Sequence, residues 1–114
     1  MSRDLSNKDR EIMGKLVPEM QEVFRPDSGI ELEYANILPP VANHHSRDER
    51  DFQARISRLT AEELKYLYER IIEGTESLGC LQPEFAEPFF RLLAEKLSSE
   101  AAERARIAYE SGEC

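Results

Sequence analysis

Apolar residues recur every three or four positions over most of this chain, the spacing of helices with one buried face. From Asn7 to Phe24 the set is Ile12, Met13, Leu16, Val17, Met20, Val23 and Phe24, which falls on one arc. Pro18 interrupts it. A proline there removes one hydrogen bond and crowds the carbonyl of Gly14, which adds no side chain to the clash. The spacing predicts one kinked helix, or two short helices nearly in line with Pro18 opening the second.

Three further segments share the helical period, and a fourth is rich in small residues. Ser46 to Leu59 buries Phe52, Ile56 and Leu59, with Arg47, Arg50, Arg55 and Arg58 on the opposite face and Asp51 among them. Ser46-x-x-Glu49 reads as a capping box, and so does Thr60-x-x-Glu63 at the next helix. That helix carries Leu64, Leu67, Tyr68, Ile71 and Ile72 on its apolar face and stops at Gly74. Tyr66 points the other way, beside Glu62 and Arg70. Pro83 suits the first position of a helix to about Leu97, whose wide arc holds Phe85, Ala86, Phe89, Phe90, Leu92, Leu93 and Leu97. The last helix, Ser99 to about Tyr109, is capped by Ser98 or Ser99 and has an alanine face.

One stretch breaks this rhythm. Pro26, Gly29, Pro39 and Pro40 forbid a long helix, and Ile30, Leu32 and Tyr34 alternate with Glu31 and Glu33 at a strand-like period of two. No second strand pattern is evident. The arm is therefore expected to lie on the helices or to pair with a second copy of itself. The reading is an all-α fold: a compact bundle of four or five helices over residues 1–114, with one extended, proline-punctuated arm over about residues 26–45 and mobile last residues.

Composition narrows the function. With 114 residues, 40% hydrophobic and 33% charged, the chain has enough apolar material for one core. Net charge is −8, and residues 1–42, 43–73 and 74–114 carry −3, −1 and −4. No segment offers the cation excess that nucleic acid or an anionic membrane demands. No apolar run approaches the ~18 residues that span a bilayer, and the start has no secretory signal pattern. A cytoplasmic location is expected. Cys80 and Cys114 form no C-x-x-C pair and are read as free thiols in a reducing compartment.

Candidate chemistry is sparse. His44 and His45 are adjacent, near Asp48, Glu49 and Asp51. Adjacent side chains diverge by ~100° in a helix and oppose each other in a strand, so two neighbours seldom share one metal. They are read as a polar lead-in to the Ser46 cap, with a metal-dependent enzyme or an enzyme subunit built around them as one alternative. Catalysis at Cys80 would need a base that nothing in the sequence brings near. No cofactor or phosphate-binding signature occurs. A second alternative is a nucleic-acid-associated regulator using the pair 46–59/60–73. Glu62, Glu63, Glu69 and Glu73 on its would-be recognition helix oppose that. The leading expectation is a non-enzymatic protein that acts through contact with a protein partner or with itself, as a homodimer. The residues expected to carry it are Ile37, Leu38, Pro39, Pro40, Tyr66, Phe85 and Phe89.

Overall fold

Proline positions set where the chain turns. In the computed structural model, which describes residues 3–4, 7–25, 33–34, 36–79 and 81–112, helix α1 spans Asn7–Leu16. Pro18 opens a 3-10 turn, Pro18–Met20, that runs into the one-turn helix α2, Gln21–Phe24. Pro18 opens the second element as expected, but the two are not nearly in line: α2 folds back on α1, and Arg10 Nη1 donates to Arg25 O at 3.3 Å. The longer helices are α4 (Glu49–Ser57), α5 (Ala61–Glu73), α6 (Pro83–Lys96) and α7 (Ser99–Ser111). With the short α3 (Leu38–Pro40) there are seven helices among the described residues, five of nine residues or more.

The arm differs from expectation in two ways. Within residues 26–45, the stretch from Leu38 to His45 is helical, not extended: α3 continues as a π turn over Val41–His45. Two successive prolines are compatible with a helix only in its first turn, where amides have no carbonyl to reach. Pro39 and Pro40 sit there, and Val41 N–H is the first to close on Ile37 O, at 3.3 Å. The strand also has a partner in its own chain. Glu33–Tyr34 (β2) pairs antiparallel with Arg3–Asp4 (β1), Arg3 opposite Tyr34. Two polar residues with no alternation give no strand signal, so β1 was not legible. Residues 26–32 and 35, with most of the expected alternation, lie outside the described residues, as do Cys80, Cys114 and their expected thiol state.

The start of α4 also moves. Its cap is Asp48, whose carboxylate accepts from Asp51 N–H at 2.9 Å; Ser46 instead donates to Val41 O at 2.8 Å and closes the π turn. An aspartate caps at least as well as a serine and adds an anion at the positive helix end. Asp51 reaches back to Arg47 N–H at 2.9 Å. At α5 the expected capping box is present: Thr60 Oγ1 accepts from Glu63 N–H, and Glu63 accepts from Thr60 N–H. Gly74 ends α5 at φ 86°, the left-handed region where a side chain is strained.

One core unites all of this. Ile12, Met13, Leu16 and Phe24 meet Leu38 and Val41, Phe52 and Ile56, Leu64 and Leu67, and Phe89 and Leu93. Phe52 and Phe85 stack edge to face at 5.4 Å. Helix α6 packs on α4 and α7, and α7 also packs on α5. The radius of gyration, 13.2 Å, matches the ~13 Å of a compact domain of this length. No helix among the described residues is long and apolar enough to cross a membrane.

Candidate functional site

The chemistry of this fold is concentrated in two arginines. Arg70 stands on the polar edge of α5, one turn after Tyr66, and both face α1. Arg70 Nη1 donates to Asp9 Oδ1 at 2.6 Å, and Tyr66 Oη donates to the same oxygen at 2.9 Å. Arg70 Nη2 lies 3.5 Å from Glu76 Oε1. Asp9, Arg70 and Glu76 are all buried. Charges removed from water at this depth persist only when paired and hydrogen-bonded. Even so, Arg70 Nε has no hydrogen-bond partner among the described residues.

Glu76 does a second job. Its two carboxyl oxygens accept from Ile37 N–H at 2.9 Å each, and one also accepts from Leu38 N–H at 2.9 Å. Pro39 and Pro40 have no N–H, so these two amides are the free donors at the start of α3. Glu76 takes both. Burial pushes its carboxyl up from 4.5 to about 7, aided by the charge of Asp9 and opposed by the two amides and Arg70.

The second arginine is Arg55 of α4. It was expected on the solvent face with the other arginines, yet it is buried. Its guanidinium grips Glu19 with two bonds of 2.8 Å, donates to Leu16 O at 2.8 Å, and lies 3.3 Å from Asp51 Oδ1. A guanidinium whose two terminal nitrogens are claimed by a carboxylate and a backbone carbonyl moves inside even from a polar stripe. The Arg55 bond holds Glu19 down to about 2, with its own backbone amide adding to the effect. His45, at the end of the π turn, is lowered by burial and then by Arg55.

The histidines do not converge with a ligand set. His44 is exposed and His45 half-buried. Among the described residues no three His, Cys, Asp or Glu side chains are grouped to hold a metal ion. The residues expected to carry a contact differ in how far they are covered. Ile37, Leu38, Pro39, Phe85 and Phe89 are buried in the chain's own core, and Pro40 and Tyr66 are half-buried. The apolar surface of the first five is covered within the chain, and that of Pro40 and Tyr66 only in part.

Sequence reasoning placed Tyr66 beside Arg70 but missed what they hold. Asp9 and Glu76 lie 61 and 6 positions from Arg70, and Glu76 meets Ile37 across 39. No local pattern encodes such pairs. The legible trace was the polar edge Glu63, Tyr66, Arg70 running beside the apolar stripe of α5. Nothing matches this chain in comparisons with protein families, curated proteins or solved structures.

Proposed function

We propose that this protein acts by binding a partner protein through the outward faces of α5 and α7. The observation that supports this most is where apolar side chains stay in water. Ile72 is 40% exposed and Ile107 57% exposed, and they are the large exposed hydrophobics among the described residues. They sit on two helices that pack against each other. The same two helices carry the exposed carboxylates Glu62, Glu69, Glu73, Glu100, Glu103 and Glu110, against the exposed cations Lys65 and Arg104. That face is therefore strongly acidic. The ion pair Arg106–Glu87, 2.7 Å, closes the other side of α7 onto α6.

An acidic face with apolar centres fits a basic protein surface that presents an apolar side chain of its own. A symmetric self-contact there would set like charges against each other, so a different protein is favoured over a second copy. Electrostatics would speed encounter, and the isoleucines would hold the complex.

The test uses a photo-crosslinking amino acid placed in turn at positions 72, 107 and 50 of the full chain in its native cell. Discrete adducts to a basic protein from positions 72 and 107, lost when Glu69 and Glu103 become Lys, support the reading. No adduct from either position, equal adducts from position 50, or adducts to the chain itself would overturn it. The I72S/I107S chain is expected to keep its stability within about 0.5 kcal/mol.

A further inference from the structure

Residues 37–45 join the core through Ile37, Leu38, Val41 and Ala42, all fully buried. At its front end this segment is tied to the loop after α5 by one side chain. The Glu76 carboxyl accepts both free amides, at 2.9 Å, and they reach no other acceptor among the described residues. Asn36 adds a lighter tie by accepting from Ser77 N–H at 2.7 Å.

We propose that Glu76 is a proton-locked clasp: with its proton on, it holds the front of the 37–45 segment against the end of α5, and loss of the proton loosens that hold.

The geometry explains the direction. A neutral carboxyl can still accept both amides through one oxygen, because Oε2 alone reaches Ile37 N and Leu38 N at 2.9 Å. An ionised one gains acceptor strength but must stay charged with its side chain fully shielded from water. The charged groups that face it are Arg70 from α5, at 3.5 Å, and Asp9 from α1, with Tyr66 behind Asp9. Arg70 cannot neutralise both carboxylates fully, because its shorter bond, 2.6 Å, goes to Asp9. Opening the clasp lets the charged carboxyl meet water. The open form therefore gives up its proton first, and rising pH favours opening. The relevant window lies between the ordinary value of 4.5 and about 7. Segment 37–45 adds only His44 and His45 at its far end, at and beside the Arg55 cluster.

Amide hydrogen exchange on the full chain tests this. Protection factors, which remove the intrinsic pH dependence of exchange, are measured at pH 5 and pH 8. Protection at Ile37 and Leu38 is expected to fall at the higher pH by at least tenfold, on the order of a hundredfold at most. Amides inside α6, such as Phe89, are the internal reference. In Glu76→Gln, a neutral stand-in, Ile37 and Leu38 are expected to stay protected at both pH values. Protection that is unchanged or rises with pH would overturn the clasp. So would a Gln chain with the same pH dependence, or one that fails to fold.

Discussion

Arg70 and Arg55 are centred in clusters of the same composition, one guanidinium with two carboxylates, yet one glutamate in each moves in the opposite direction to the other. Glu76 is pushed up to about 7 and Glu19 is held down to about 2. Water explains the difference. The Glu19 side chain is 54% exposed and meets Arg55 through two bonds of 2.8 Å. Its charge keeps most of its hydration and gains a full partner. The Glu76 side chain is 0% exposed and shares an arginine whose closer bond goes to Asp9. Ion pairing near the surface lowers an acid, whereas the same pairing in the interior fails to offset desolvation.

The comparison makes its strongest demand at Arg70. Arg70→Ala strands Asp9 and Glu76 without a cation and is expected to cost about 3–5 kcal/mol, read from the urea midpoint. Arg70→Met should cost less at pH 5 than at pH 8. If Arg70→Ala costs under about 1 kcal/mol, the interior cluster is not what ties α1 to α5.

The second demand concerns pH. Glu76 is raised, so the unfolded chain releases that proton first and stability falls as pH rises from 4.5 towards 7. Glu76→Gln is expected to remove this fall, a gain on the order of 2 kcal/mol at pH 8 against pH 5. Glu19 is lowered, so the stability it lends is present above 4.5 and is lost as pH falls towards 2. Glu19→Gln should therefore lower stability at neutral pH and flatten the acid limb, with no change of slope between pH 5 and pH 8. Exchanged effects of the two variants would mean that the clusters are assigned the wrong way round.

A smaller effect is expected at Arg55. Arg55→Ala frees Glu19 to hydrate and leaves Leu16 O without its donor, a loss of about 1–2 kcal/mol in thermal or urea unfolding. A loss equal to that of Arg70→Ala would erase the distinction between surface and interior.

Much of the scaffold was legible because it is local. The α5 capping box, the Gly74 stop, Pro83 at the head of α6 and the Ser98 cap each rest on residues within four positions of one another. The misreadings share a cause. Pro39 and Pro40 suggested an extended arm because the feature that makes a helix start there, the Glu76 carboxyl, lies 36 or more positions away. Arg55 read as a surface residue because its partner Glu19 belongs to another helix turn, 36 residues back. Ile72 fits the apolar stripe by spacing but falls just past its edge and stays exposed. Local rules mark where helices start and stop; they do not mark which polar side chain reaches across the core.

The most direct measurement is a pH titration of the side-chain carboxyl carbons of Glu19 and Glu76 by NMR, in one sample of the full chain. The expected result is a Glu76 midpoint near 7 and a Glu19 midpoint near 2, on opposite sides of 4.5. Two midpoints on the same side of 4.5 would contradict it.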